Sequence, residues 1–299
     1  MPSPFAPSSL RWTGAIVLSL ALLPGTLFAQ PSGSPEPEAV EPFDVLIVAP
    51  HPDDEAIGCA AVMIRALIDG RRVGVVLMTN GDGHVGAAAA LAGKEPEQLE
   101  PADFVRLARV RQGHTVKALK TLGVPAENLI ALGYPDSGLA TLYETKTDEP
   151  WTQPRTGRSA TYGPLIRDYR TLTHGRPAPY TRSAILEDLK EIIARRRPRE
   201  IYVTAAVDTH GDHSAAFRFV RDAARTAGYR GELLTYVVHG APPPGPPTRV
   251  ILTAAELRRK RALLNAYGAG LSPVHDDLAD DYMQPEERFW PVPVAGPAE

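Results

Sequence analysis

The chain alternates short, continuously apolar runs with longer stretches in which apolar residues recur at helical spacing. Short runs rich in β-branched residues are typical of strands buried on both faces, and the longer stretches are typical of amphipathic helices. Repeated strand–helix units predict an α/β fold with a doubly wound, mostly parallel sheet. The expected strands cover 43–49, 72–81, 128–136, 200–208 and 232–240, and the expected helices cover 56–70, 102–123, 182–198, 213–228 and 253–268.

Two regions interrupt this alternation. Residues 141–181 form an insertion rich in glycine, proline and aromatic residues, and loops of this length are usually functional lids or disordered. A proline-rich loop at 241–247 precedes the last helix, whose start is marked by a capping box of Thr253 and Glu256. After that helix the pattern predicts an irregular end.

Residues 1–29 have the pattern of a signal peptide. Arg11 precedes an apolar run that a proline–glycine pair interrupts, and Ala29 supplies a small residue for cleavage. An uncleaved membrane anchor is the alternative, although the apolar stretch is borderline in length for a span. We therefore expect an exported protein, periplasmic or extracellular, without stable membrane insertion after cleavage. Residues 30–42 are expected to form a disordered linker, followed by one domain over 43–299.

Composition narrows the possible functions. The net charge is −3 at pH 7, whereas nucleic-acid-binding proteins are usually basic, so we expect no nucleic-acid partner. Cys59 is the only cysteine, which excludes an intramolecular disulfide and a cysteine-based zinc cluster. Any bound metal must therefore be held by histidine and carboxylate side chains.

Polar side chains follow all five expected strands. Because the carboxyl ends of parallel strands meet at one edge of the sheet, this placement predicts a binding or catalytic site there. In chain order, the polar groups are His51 to Glu55, Asn80 to Asp82, Asp136, Asp208 to His213, and His239.

The first of these groups, HPDDE, places a histidine and three acids at a strand-to-helix turn. His51 and Asp54 are three residues apart and can converge on one cation, while Asp53 between them points elsewhere. The positive end of the following helix lowers the cost of adjacent carboxylates. The HGDH sequence offers a third ligand in either His210 or His213. Two histidines and one carboxylate with an open position are typical of a catalytic zinc site, although other divalent ions fit the same donors.

Several further side chains have two interpretations. Glu55 either caps the helix that it starts or supports the site from behind. His239 is either structural or part of the site. The three histidines without acidic neighbours in a motif are expected on the surface or in the core: His84, His114 and His174.

The APHPDDEAIG and HGDH motifs resemble those of the PIG-L/LmbE-like zinc deacetylases, which remove acetyl groups from N-acetylglucosamine-type amines. The similarity covers roughly residues 43–240 and includes TNGDG, Arg111 and LGYPDSGL. It implies the Rossmann-like, LmbE-like sheet in a single catalytic domain. It also implies Zn2+ as cofactor, with Fe2+ as an alternative, and an N-acetylated sugar or glycoconjugate as substrate.

The resemblance assigns roles to the first motif and to one later histidine. Zinc would be held by His51, Asp54 and His213. Asp53 would be the general base, which agrees with the need for an unligated carboxylate beside a metal-activated water. The products would be acetate and a free amine.

The resemblance also assigns roles around this centre. His210 would stabilise the oxyanion or protonate the leaving amine, and Asp212 would orient a histidine. Arg111 and Asp136 match positions associated with sugar binding.

The chain departs from the family pattern in two places. Members often carry a glutamate one turn after the arginine, where this chain has His114, and some carry a tyrosine where it has Asp208. These differences affect the transition-state contacts and not the metal. The insertion and the N-terminus resemble those of exported members. The aromatic residues of the insertion could stack on sugar rings or pin the loop to the body: Tyr143, Trp151, Tyr162, Tyr169 and Tyr180.

Two other functions use the same residues. An amidase or esterase acting on another conjugate would need the same metal site, and only a panel of substrates separates it from a deacetylase. A non-catalytic glycan-binding protein would keep the metal for structure and would bind glycans without turnover.

Overall fold

The computed structural model describes residues 40–268 and 278–294. The predicted signal peptide and most of the predicted linker lie outside the described residues, so both stay predictions. Among the described residues, no helix combines the length and the apolar character that a membrane crossing needs.

Within the described residues, seven strands form one mixed sheet in the order β3-β2-β1-β4-β5-β7-β6. The first five pair in parallel, and β7 runs antiparallel to both β5 and β6. The predicted doubly wound, mostly parallel sheet is therefore confirmed. The strands are β1 Val45–Ala49, β2 Val73–Thr79, β3 Leu129–Tyr134, β4 Glu200–Thr204, β5 Glu232–Tyr236, β6 Thr248–Ile251 and β7 Glu286–Val292.

Helices cover both faces of the sheet. Side chains alternate along each strand, so Leu46 and Val48 join the core on one face while Val45 and Ile47 join the core on the other. The helices are α1 Asp54–Ile68, α2 Val85–Ala92, α3 Pro101–Leu122, α4 Leu139–Glu144, α5 Tyr169–His174, α6 Arg182–Arg196, α7 Gly211–Thr226, α8 Ala254–Gly268 and α9 Leu278–Tyr282. Short 3-10 turns at Pro96–Gln98 and Ala126–Asn128 precede α3 and β3.

The strand order places the site. The chain winds outward from β1 through β2 to β3 on one side, and from β4 to β5 on the other. A crevice therefore opens at the carboxyl ends of β1 and β4, which is where parallel sheets bind ligands. The HPDDE turn follows β1, and the HGDH sequence follows β4 by a short loop.

The prediction of an irregular C-terminal end was wrong. After α8 the described chain forms α9 and then β7, which inserts between β5 and β6. The sequence pattern misses β7 because its partners are distant: Thr235 pairs with Trp290, and Thr248 pairs with Phe289. The capping box at the start of α8 is present, since the Glu256 side chain accepts from the backbone N–H of Thr253 at 2.7 Å.

The insertion at 141–181 is neither disordered nor a lid over the crevice. It contains α5 and packs against the body of the domain, with Tyr180 and Tyr169 buried in the core. The Tyr162 hydroxyl donates a hydrogen bond to Asp82 Oδ2 at 2.6 Å, next to the turn after β2. The aromatic residues of the insertion therefore pin it to the body.

Candidate active site

The turn between β1 and α1 is built by its own acids. The backbone N–H of His51 donates to Asp54 Oδ2 at 2.8 Å, which closes the turn. Asp53 has φ 124°, a region that non-glycine residues rarely adopt. This strained backbone turns the Asp53 side chain away from that of Asp54, so the two neighbouring carboxylates have different surroundings.

Three buried side chains bring one ligand atom each to a common point. His51 Nδ1 lies 3.1 Å from His213 Nε2 and 3.2 Å from Asp54 Oδ2, and His213 Nε2 lies 3.3 Å from Asp54 Oδ2. Ligand atoms bonded to a tetrahedral zinc ion at about 2.0 Å are about 3.3 Å apart. The triangle therefore fits one zinc ion, and the same donors suit other divalent ions.

The other ring nitrogen of His51 faces carboxylates. His51 Nε2 lies 3.2 Å from Asp212 Oδ2 and 3.5 Å from Asp136 Oδ1. A proton on Nε2 is favoured there, which leaves a lone pair on Nδ1 for a metal. Histidine ligands in metal sites are commonly held in this way.

His213 has a similar arrangement behind it. Its Nδ1 lies 3.2 Å from Asp208 Oδ2, which is ion-pair distance although not aligned as a hydrogen bond. Asp208 also accepts from the backbone N–H groups of Val238 and His239, at 2.9 and 3.0 Å. Sequence reasoning placed Asp208 among the polar groups at the strand exits and noted it as a departure from the family, but it missed this contact.

Asp53 is paired with Arg111. The Arg111 Nη2 atom donates to Asp53 Oδ2 at 3.0 Å and to the Pro52 carbonyl at 2.9 Å. Burial raises the pKa of the Asp53 carboxyl to about 6, and the Arg111 guanidinium limits that rise. A carboxylate with such a pKa accepts a proton more readily than an ordinary aspartate does.

His210 caps α7. Its Nδ1 accepts a hydrogen bond from the backbone N–H of Asp212 at 3.2 Å, so the ring carries its proton on Nε2. Burial and the neighbouring rings of His51 and His213 lower the pKa of His210. A neutral His210 therefore presents an N–H donor and not the imidazolium charge that an acid role would use.

A cavity of about 530 Å³ opens over these residues. It is lined by His51, Asp53, Asp54, His210 and His213, and also by Arg111 and Asp136, so the crevice brings all the predicted site residues except Asp212 to its wall. Asp212 lies behind His51. None of the described lining residues comes from 141–181, so these residues give no support to the alternative in which the insertion aromatics stack on a sugar.

The cavity is also lined by side chains that sequence analysis did not assign to the site. His84 was expected on the surface or in the core, yet it caps α2 and lines the cavity. His239 lies against His213, with ring centroids 5.1 Å apart, and lines the same wall. Helix α9 adds Asp281 and Tyr282. Their approach depends on chain folding that no local pattern indicates.

Arg111 and Asp136 contact protein groups on the cavity floor. Arg111 is only 6% exposed and Asp136 only 4%. Asp136 Oδ2 accepts from the backbone N–H of Gly83 at 2.9 Å and lies 3.7 Å from Arg111 Nη1. Arg111 therefore holds the turn that carries Asp53, and Asp136 holds the turn after β2 and lies against the His51 ring.

The fold and the site define a Rossmann-like α/β protein with a histidine–aspartate site that could hold a divalent metal. The chain belongs to the PIG-L family, described as GlcNAc-PI de-N-acetylase, whose sequence profile matches residues 46–224. The family resemblance of the two motifs is therefore confirmed, while membership of an exported subgroup stays a prediction.

One relative of known name is similar over part of the chain. A 1D-myo-inositol 2-acetamido-2-deoxy-alpha-D-glucopyranoside deacetylase from Kineococcus radiotolerans is 30% identical over 179 residues. The match covers 58% of this chain and 42% of that protein, so the chain spans less than half of the relative's length.

Two solved structures share the fold. The zinc-inhibited form of teicoplanin deacetylase Orf2 has a TM-score of 0.54 at 16% identity, covering 83% of this chain and 97% of that one. GalB, the 4-carboxy-2-hydroxymuconate hydratase from Pseudomonas putida KT2440, has a TM-score of 0.53 at 15% identity, covering 80% and 82%. Proteins named for two different reactions therefore share this fold, and the reaction must be argued from the site.

Proposed function

We propose that the protein is a zinc-dependent hydrolase that removes the acetyl group from an N-acetylated sugar conjugate. The observation that carries the proposal is the triangle of His51 Nδ1, Asp54 Oδ2 and His213 Nε2, open to a cavity that Asp53 also lines. Membership of the PIG-L family and the name of the Kineococcus relative support a deacetylase over other hydrolases.

Asp53 and His210 have different roles in the proposed hydrolysis of the amide. A divalent ion, when bound, polarises the amide carbonyl and activates water. Asp53 accepts one proton from the attacking water as its oxygen bonds to the acetyl carbon. The carbon–nitrogen bond then breaks as Asp53 passes that proton to the amine nitrogen, and the products are acetic acid, which ionises to acetate, and a free amine. His210 donates its Nε2–H to the developing oxyanion.

The shape of the crevice favours a conjugate over a free monosaccharide. A second cavity of about 360 Å³ adjoins the first, and Ile57, Val238, Asp281 and Tyr282 line both. A sugar with its acetamide at the metal triangle therefore has room for a second unit across this shared wall. We propose that the second unit contributes to binding.

A substrate panel tests the proposal. The protein is stripped with a chelator, reloaded with Zn2+ or Fe2+, and assayed for acetate and amine release. The panel comprises N-acetylglucosamine, N,N'-diacetylchitobiose, a GlcNAc-inositol, an acetyl-lysine peptide and an acetate ester. We expect metal-dependent release from the sugars, with a lower KM for the two-unit substrates. Turnover of the ester or the peptide alone would replace the proposal with an esterase or another amidase.

Two variants sharpen the assay. Asp53→Asn should abolish turnover in metal-loaded protein because it removes the proton acceptor. Asp69→Asn, at the exposed end of the same helix, should leave turnover unchanged. Full activity of Asp53→Asn would refute the assigned mechanism, and tight glycan binding without turnover in the unmodified protein would indicate a binding protein.

We also propose that the protein is exported, on the support of the signal-like pattern at 1–29. Fractionation of cells that express a C-terminally tagged chain tests this. Export should yield a tagged product that is shorter than the full chain and lies outside the cytoplasm. A full-length product in the cytoplasm would contradict export.

A further inference from the structure

Helix α1 is broken one turn after its start. Cys59 has φ −131° and ψ 17°, which is not helical, so the helix is kinked there. In an unbroken α-helix the Ile57 carbonyl would accept a hydrogen bond from the Ala61 N–H. The first turn of α1, which carries Asp54 and Glu55, is therefore not aligned by a continuous helical ladder.

A buried ion pair contacts both ends of that break. Lys260 Nζ donates to the Ile57 carbonyl at 2.8 Å and to Glu287 Oε1 at 2.8 Å. Glu287 in turn accepts from the Ala61 N–H, at 3.1 Å for Oε1 and 3.0 Å for Oε2. Lys260 is 1% exposed and Glu287 is 4% exposed. One side chain of α8 and one of β7 thus bridge the kink.

A second contact from α8 reaches the catalytic turn itself. The Tyr267 hydroxyl donates to Glu55 Oε1, and Glu55 Oε2 accepts from the backbone N–H of Asp53 at 3.3 Å. Glu55 is fully buried and does not line the cavity. It therefore contacts the strained peptide of Asp53 from behind, where the same hydrogen bond caps the start of α1 and supports the site.

We propose that the C-terminal segment, α8 and β7, positions the catalytic turn through two buried links. Lys260 and Glu287 set the direction of the first turn of α1, and Tyr267 holds the Asp53 peptide through Glu55. The proposal rests on the proposed function for its activity readout. The three residues from α8 and β7 lie beyond residue 224, where the family match ends, so this support is additional to the matched region.

The burial of the Lys260–Glu287 pair favours a role in positioning the first turn of α1 over a role in stability. A buried ion pair is often no more stabilising than apolar side chains of similar volume, because both ions lose their hydration. Here Lys260 donates to the Ile57 carbonyl and Glu287 accepts from the Ala61 N–H, which are the two backbone groups that the kink separates. Replacing it with apolar side chains allows Ala61 and Ile57 to pair with each other again, which would straighten α1 and move its first turn.

The first test removes the ion pair. The Lys260→Met/Glu287→Leu variant is compared with Arg65→Met/Glu256→Gln, which removes a second ion pair between α1 and α8, two turns beyond the kink. We expect the first variant to lose about tenfold or more in kcat at saturating metal, since small misplacements of reacting groups have such effects. KM for N-acetylglucosamine, whose single unit does not use the second cavity that Lys260 and Glu287 also line, should stay within twofold, and the control should keep kcat.

The second test decides the matter if the double variant does not fold. Tyr267→Phe removes one hydroxyl, and Tyr202→Phe is its control, because the Tyr202 hydroxyl also donates to a glutamate, at 2.9 Å, away from the site. We expect Tyr267→Phe to lower kcat severalfold and the control to leave it unchanged. Glu55→Gln, which keeps an oxygen for the Asp53 N–H, should retain more activity than Glu55→Leu.

Affinity for Zn2+, measured by competition with a chelator, separates this inference from the proposed function. Weaker Zn2+ binding in the Lys260 and Tyr267 variants supports positioning even if the unmodified protein releases no acetate. If the variants keep kcat and Zn2+ affinity within twofold while their melting temperatures fall, the links only stabilise the fold and the proposal is overturned.

Discussion

The replacement Asp212→Asn tests whether the carboxylate behind His51 supports a metal site. Asp212 accepts hydrogen bonds from the backbone N–H groups of Ser137 at 2.6 Å and Leu139 at 2.9 Å, one on each oxygen. The oxygen that faces Ser137 also lies 3.2 Å from His51 Nε2. An asparagine has the same shape but only one oxygen, so its amide group must face a donor on one side.

The structure sets the size of the effect. One buried backbone N–H loses its acceptor, which costs about 1–3 kcal/mol in the free energy of unfolding. His51 loses the nearer of the two carboxylate charges behind its Nε2, and losses of this kind weaken metal binding by about 10–100-fold. The loss of stability and the weaker metal binding should appear together, because one Asp212 carboxylate contacts both the Ser137–Leu139 backbone and His51 Nε2.

The assay measures the Zn2+ dissociation constant by chelator competition and the unfolding free energy by denaturant titration of the stripped protein. Asp222→Asn is the matched control, because Asp222 lies on the same helix and accepts from the Tyr143 hydroxyl at 2.8 Å, away from the cavity. The control should lose stability and keep its Zn2+ affinity. Unchanged Zn2+ affinity in Asp212→Asn would refute the reasoning about His51.

Three other replacements test the packing. Gly58→Ala should destabilise the protein by about 1–3 kcal/mol, because the new methyl group would overlap the Tyr236 ring; an unchanged melting temperature would contradict this. Gly113→Ala should stabilise α3 by up to about 1 kcal/mol, because its methyl group meets only Leu165, at 3.7 Å; a loss of stability would contradict this. Tyr143→Ala should cost about 2 kcal/mol and leave KM unchanged, since the insertion packs away from the cavity; a raised KM would show that it contacts substrate.

Local patterns predicted much of the site. The strand exits of a parallel sheet lie at one edge, so HPDDE after β1 and HGDH after β4 were both expected at that edge. The pairing of β1 with β4 then makes the two turns neighbours. The choice between His210 and His213 as a possible ligand could not be made from spacing. In the structure, Nδ1 of His210 is used to cap α7, while Nε2 of His213 lies with His51 and Asp54.

The missed elements share a physical cause. The β7 strand pairs with segments about 40 and 55 residues earlier, and its short apolar pattern carries no sign of those partners. The insertion was expected to be either a functional lid or disordered because of its length. Its role became visible only through contacts such as Tyr162 with Asp82, which join it to the turn after β2.

The sequence by itself determined the parallel sheet and the pair of acid–histidine turns at its edge, because periodicity and strand-to-helix motifs are local properties. Only the tertiary structure decided which nitrogen of each histidine faces the shared point. It also brought Lys260 and Glu287 to the break in α1 and Tyr267 to Glu55. Those contacts join residues about 200 positions apart, where packing, and not sequence spacing, sets the distance.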